Sequence, residues 1–147
     1  MIKIISVGKL KNKDIESLYQ YYLKQIPRKI EVVEIKDEPT ISGIYKEGQS
    51  ILKKVNDDDI VVTLEILGTM YSSEDFATLI EKIENASKKD IVFVIGGSYG
   101  LDEEVKKRSD YQISFSKMTF PHQLMKVLVC EQIFRAYSIL NNHPYHK

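Results

Sequence analysis

The sequence closes on Tyr145-His146-Lys147, an aromatic hydroxyl, an imidazole and an ammonium in succession. Such groups stack on a planar ring, hydrogen-bond its edge, or take its proton, since imidazole titrates near neutral pH. His122 supplies a second imidazole just after Pro121. Arg135 follows Glu131 by four residues, the helical spacing at which opposite charges meet. Both stand among apolar residues, so they form either an ion pair at an interface or a site where Arg135 faces a ligand phosphate.

Two further segments have the composition of ligand walls. Gly96-Gly97-Ser98-Tyr99-Gly100 follows an apolar run. Glycines there permit positive φ and close approach of backbone to a ligand. The pattern is neither G-x-G-x-x-G nor a P-loop, and a plain tight turn explains it equally well. Phe115-Ser116-Lys117-Met118-Thr119-Phe120 carries two Phe and one Met where a connecting loop is ordinarily polar. It either folds back onto the core or sandwiches an adenine ring and a thioether.

The elements that must position these residues alternate. Strands are expected at Ile2–Val7, Glu31–Lys36, Ile60–Ile66, Ile91–Ile95 and Tyr111–Ser116. Helical periodicity marks Asp14–Ile26, closed by Pro27, and a second helix through Ile44, Ile51, Leu52 and Val55. Asp37 to Ser42 reads as loop. Ser72 and Asp75 form a capping pattern ahead of Phe76, Leu79, Ile80 and Ile83. Leu101–Lys107 is a short helix. Pro121–Leu140 is a long one, with Pro in its first turn. Alternating strands and helices predict an α/β fold with a mostly parallel sheet covered on both faces. Ligands of such sheets gather at the carboxyl ends of strands, which points to Leu64–Gly68, Gly96–Gly100 and Phe115–Phe120. The last helix is apolar on more than one side, as expected if a second subunit covers it.

Bulk properties narrow the class. A chain of 147 residues is expected to form one domain. No apolar run reaches the length of a membrane span, and Met1 to Ile5 lacks a signal-peptide layout. One cysteine, Cys130, excludes an internal disulfide and a cysteine-rich metal site; it is expected in the core, in a reducing cytoplasmic setting. Lys plus Arg equals Asp plus Glu at 21 each. The balance is uneven: residues 105–147 hold seven basic and two acidic side chains, whereas residues 37–90 hold six and twelve. A basic end is either a footprint for nucleic acid or an unrelated solvated face.

Taken in order, Gly96-Gly-Ser-Tyr-Gly-Leu, Phe115-Ser-Lys-Met-Thr-Phe-Pro-His-Gln, Glu131-Gln-Ile-Phe-Arg-Ala and Tyr145-His-Lys resemble the bacterial ribosomal RNA large-subunit methyltransferase H family of the SPOUT class. Val7-Gly8-Lys9, Val62 to Gly68 and Ser72 to Phe76 match as well, so the resemblance spans the chain. It implies a single SPOUT domain over 1–147 with a C-terminal trefoil knot, acting as a homodimer. The implied reaction is methylation of N3 of a pseudouridine in 23S ribosomal RNA on the assembled ribosome, with S-adenosylmethionine as cofactor. No metal, membrane or DNA enters it. By the same resemblance the cofactor falls to Leu64, Gly96, Gly97, Gly100 and the run Phe115, Ser116, Lys117, Met118, Thr119, Phe120. His146, Tyr145, Arg135 and His122 are the candidates for the substrate and its proton. This chain departs from the family pattern in a shorter 38–48 region and in Thr69, where many members carry Lys. The alternatives are a non-catalytic dimeric RNA-binding or ribosome-assembly factor with the same fold, or a transfer-RNA methyltransferase.

Overall fold

A computed structural model describes all residues, 1–147. The strands are β1 (Ile2–Val7), β2 (Ile30–Ile35), β3 (Ile60–Met70), β4 (Ile91–Ile95) and β5 (Tyr111–Ser114). The helices are α1 (Lys13–Gln25), α2 (Ile44–Leu52), α3 (Ser73–Ala86), α4 (Glu103–Arg108) and α5 (His122–Leu140). One 3-10 turn, Ile41–Gly43, straddles the end of the expected loop. The strands form one sheet in the order β2-β1-β4-β3-β5, and every pairing is parallel.

Alternation along the strands explains how both faces are covered. Ile2, Ile4, Phe93 and Ile95 face a core shared with α1, α3 and α5. Ile5, Val7, Val92 and Val94 face a smaller core with Ile51 of α2 and Val105 of α4. β4 is therefore apolar at every position and fully buried, as a central parallel strand must be. Connections that step one way along the sheet place their helices on one face. Those that step back use the other, as a common crossover hand demands.

Local signals set the helix starts. Asn12 caps α1, its side chain accepting from the N–H groups of Asp14 and Ile15. Ser72 caps α3 by accepting from Asp75 N–H at 3.0 Å. Pro121 occupies the cap of α5 rather than its first turn, with extended backbone at ψ 135°. β5 ends at Ser114, two residues sooner than the periodicity suggests, because Ser116 turns to bond its own loop.

β3 departs most from expectation. Leu64 and Thr69 both pair with Ile113, so residues 65–68 bulge out of register. A Cβ on Gly68 would sit 2.8 Å from the backbone of Gln112 and Ile113, so only glycine allows the strand to return to β5. An alternating apolar pattern gives no sign of such a bulge.

Helix α5 is held at two levels. Near its start, the fully buried Lys126 ammonium donates to the Gly8 carbonyl at the end of β1 and lies 3.8 Å from Glu34. Near its end, Tyr137 donates to Glu84 of α3, which also receives a two-pronged contact from Arg28. The Arg28 guanidinium lies over the Tyr137 ring, 4.4 Å from its centre. Burial by itself would raise the Glu84 carboxyl, but hydrogen bonds from Arg28 and Tyr137 outweigh it and hold the group below its ordinary value. A carboxyl so depressed stabilises the fold fully above its ordinary value of 4.5, and that contribution drains away as pH falls through the lowered one. Glu84→Gln should therefore cost about 1–2 kcal/mol at pH 7. Urea unfolding of the two proteins should converge as pH falls well below 4.5; a gap that stays constant would deny the charged contact its role.

Candidate functional site

Because all five strands run the same way, the chain leaves β3, β4 and β5 at one edge. The three exits meet around a cavity of about 320 Å³. Leu64 lines it from β3, Gly96, Gly97 and Gly100 from the loop after β4, and Phe115, Ser116, Met118, Thr119 and Phe120 from the loop after β5. Lys117 is the one member of the expected set that does not line it. Lys117 stands exposed at the turn that Ser116 closes by accepting from Met118 N–H at 3.0 Å.

The glycine turn is sterically committed. A Cβ on Gly96 would stand 2.8 Å from the Gly100 carbonyl oxygen, and Gly100 has φ +80°. Gly100 N–H donates to the Gly97 carbonyl at 3.1 Å, closing the turn. The apolar loop after β5 divides its labour. Phe115 packs edge-on to core Phe76 at 6.4 Å, whereas Met118 is 74% exposed.

Further lining residues come from the expected exit at Leu64–Gly68 and from beyond it. Glu65, Ile66 and Leu67 arrive there only through the bulge in β3. Thr63 donates to Glu65 at 2.6 Å, and Lys106 stands 4.0 Å from Glu65, so one side of the mouth is charged. His122 joins the wall from the first turn of α5. Its Nε2 lies 3.5 Å from where a Cβ on Gly8 would be, and its ring makes no hydrogen bond.

The other three candidates come together elsewhere. Arg135 donates from both Nε and Nη2 to one oxygen of Glu131, and from Nη1 to Nδ1 of His146 at 3.0 Å. A guanidinium only donates, so Nδ1 accepts and the ring proton sits on Nε2. That Nε2–H meets Glu74 of α3 at 2.7 Å, which holds the Glu74 carboxyl below its ordinary value. Tyr145 donates to the same Glu131 oxygen at 2.9 Å, and the Arg135 guanidinium lies 4.8 Å from its ring centre. Partial burial, then the Tyr22 and Glu131 contacts, push the Tyr145 hydroxyl up, so it stays a donor. The tail is thus tied to α1, α3 and α5. Glu74 and Tyr22 were invisible as members of this network, since each reads locally as an ordinary helix residue.

His122 does not belong to this cluster. Arg135 follows it by thirteen helical positions, a rise of roughly 20 Å. The two groups of candidates occupy the two ends of α5.

A family model described as "Predicted SPOUT methyltransferase" matches residues 1–146. Among curated proteins, ribosomal RNA large subunit methyltransferase H of Acholeplasma laidlawii is 54% identical over 146 residues, covering 99% of both chains. The protein of the same name from Clostridium kluyveri is 41% identical over 157 aligned positions, again with 99% of each covered. That alignment is longer than this chain, so the Clostridium protein carries residues that this one lacks. Of solved structures, a probable methylase family protein from Haemophilus influenzae superposes with a TM-score of 0.60 at 18% identity, covering 99% of this chain and 70% of that one. The SpoU methyltransferase AviRb of Streptomyces viridochromogenes, in complex with AdoMet, gives 0.51 at 10% identity over 92% and 60%. At those identities the structures establish a shared fold. With its glycine-walled cavity at the sheet edge and this degree of identity along its whole length, the chain belongs to the ribosomal RNA large subunit methyltransferase H family of SPOUT methyltransferases.

Proposed function

We propose that this protein methylates N3 of a pseudouridine in 23S ribosomal RNA on the assembled ribosome, using S-adenosylmethionine, as one SPOUT unit over residues 1–147 whose C-terminal segment is knotted. The observation that carries the reading is the cavity joined from three strand exits. Its volume and largely apolar lining suit an adenine ring and a thioether chain. A Cβ on Gly96 would strike the Gly100 carbonyl, so glycine is what lets this turn close into a wall of the cavity. Leu64, Gly96, Gly97, Gly100 and Phe115–Phe120 are the holding residues in this reading, with Lys117 at the exposed rim. When bound, the cofactor supplies a methyl group on a cationic sulfur.

The chain's own task is to bring a weakly acidic ring nitrogen to that methyl in line and to receive its proton. Arg135, with N–H groups beyond those given to Glu131 and His146, offers donors to an anionic base edge or a phosphate, and Tyr145 presents its ring beside it. Of the two imidazoles, His146 has both nitrogens engaged and serves to hold Arg135 in place. His122 lines the cavity with its ring free of hydrogen bonds, so it is the imidazole we assign to take the N3 proton.

A homodimer completes the reading. Leu67 is 98% exposed, and Met118 and Leu124 are also exposed near the cavity. A second copy covering that rim removes this apolar area from water. No helix is long and apolar enough to cross a membrane, and a ribosomal substrate puts the protein in the cytoplasm.

Labelled S-adenosylmethionine should mark purified ribosomes that contain pseudouridine, and neither free RNA nor transfer RNA. Cofactor binding without transfer to any of these would favour a non-catalytic assembly factor, and labelled transfer RNA would redirect the substrate. Gly96→Ala should weaken cofactor binding about tenfold or more, because backbone must move to admit the methyl. His146→Ala should keep cofactor affinity yet lower transfer by on the order of 10²-fold, the cost of misplacing a positioning group. Wild-type turnover in that variant would remove His146 from the reaction.

A further inference from the structure

A second cavity, of about 250 Å³, opens between the two halves of the site. It shares Ile113, Phe115 and Phe120 with the strand-edge cavity, so the two lie side by side across those residues. Its other walls include Tyr71 and Phe76, with Ser73 at the start of α3 and Gln132 on α5. Its position along α5 is intermediate: His122 and Met125 line the first cavity, Leu128 and Gln132 the second, and Arg135 follows within one helical turn.

The polar members are held in one orientation. Ser73 donates to Gln132 Oε1 at 2.8 Å, and Gln132 Nε2 donates to Glu131 at 3.0 Å. A carboxylate only accepts, so the group facing Glu131 is the NH2 and the amide cannot be flipped. One N–H and one oxygen lone pair of Gln132 stay uncommitted. That donor–acceptor pair matches the imide edge of a uracil-type base, which offers carbonyl acceptors beside an N–H donor. Glu131, the other partner of Gln132, also anchors Arg135 and Tyr145.

We propose that this cavity receives the target nucleotide: a pyrimidine of the uracil type, turned out of its RNA stack, enters between the aromatic side chains. This deepens the methyltransferase reading and rests on it. Enzymes that modify a base extrude it into a pocket and pay for unstacking with aromatic contacts and edge hydrogen bonds. Half-buried Phe115, Phe120 and Tyr71 supply faces for stacking over a floor closed by the core residue Phe76, and Gln132 reads the edge. The shared wall of Ile113, Phe115 and Phe120 sets the base beside the cavity of the methyl donor. Gln132 and Arg135 are three residues apart on one side of α5, and Arg135 keeps N–H groups beyond those given to Glu131 and His146, so it is the group placed to meet the backbone of the same nucleotide. Gln132 is thereby a specificity-determining residue.

Two variants and one direct probe test this. Gln132→Leu keeps the shape but removes the edge contacts, and should lower kcat/KM for ribosomes about tenfold. Leu128→Trp fills the cavity and should abolish transfer. Both should bind S-adenosylmethionine with wild-type affinity and sediment with wild-type mass. Independently of turnover, pseudouridine 5′-monophosphate at millimolar concentration should shift the Gln132 side-chain amide resonances in the wild-type protein and leave Leu128→Trp unaffected. Wild-type turnover in both variants would overturn the proposal, as would a change in mass in Leu128→Trp, which would assign the cavity to a second copy of the chain. Shifts from the mononucleotide without labelling of any ribosome would keep the pocket and sink the ribosomal reading. Labelled ribosomes with no such shifts would do the reverse.

Discussion

Burial of α5 is the constraint on which the rest depends. Val129, Cys130, Ile133 and Ala136 have no solvent exposure at all. Side chains as large as Ile133 each contribute roughly 1.5–3 kcal/mol when withdrawn from water. The helix can hold residues for two ends of a site only because this middle is immobile against α1, α3 and β4. Lys126 is the cost of that placement. Burial lowers its affinity for a proton, and the Gly8 carbonyl and Glu34 offset the desolvation. The same ammonium fixes where α5 begins relative to β1, and so where His122 stands.

A second constraint is steric and lies in the glycines. Gly68 lets β3 return to β5 after its bulge, and Gly96 lets the turn after β4 close over Gly100. In both cases the atoms in the way are backbone, which has no rotamer with which to yield. The bulge delivers Ile66 and Leu67 to the cavity, and the turn leaves its floor open. Cavity shape is thus written by the absence of side chains as much as by their presence.

How much of this was legible depends on whether the signal is local. The alternation of apolar residues in β1 and β4, the Asn12 and Ser72 caps and the order of elements follow from periods of 2 and 3.6 and from turn chemistry. The three strand exits were located from the rule about carboxyl ends of parallel strands, and all three line one cavity. The bulge at 65–68 was not, because it requires a partner strand to reveal it. The separation of His122 from Arg135, Tyr145 and His146 also escaped, since residue types that suit one reaction do not state how far apart a helix will hold them. Glu74 acquires a role only when the tail folds back onto α3. Lys117, in the middle of an apolar loop, looked like its neighbours, yet a single serine turn put it on the rim. The methyl-transfer chemistry itself came from resemblance across several motifs; no period or spacing specifies it.

Cys130 carries a different consequence. It is the chain's one thiol, it has no exposure, and burial pushes it up to about 12, against a smaller opposing effect of the Tyr19 contact. Thiolate is the reactive form, so in the native fold this group is inert to alkylating reagents on both chemical and steric grounds. It becomes reactive only when the packing of α5 against α1 and the sheet opens. The natural sequence therefore contains a silent reporter for its own opening: the rate at which an alkylating reagent consumes the thiol reads how often the helix that organises both cavities comes away.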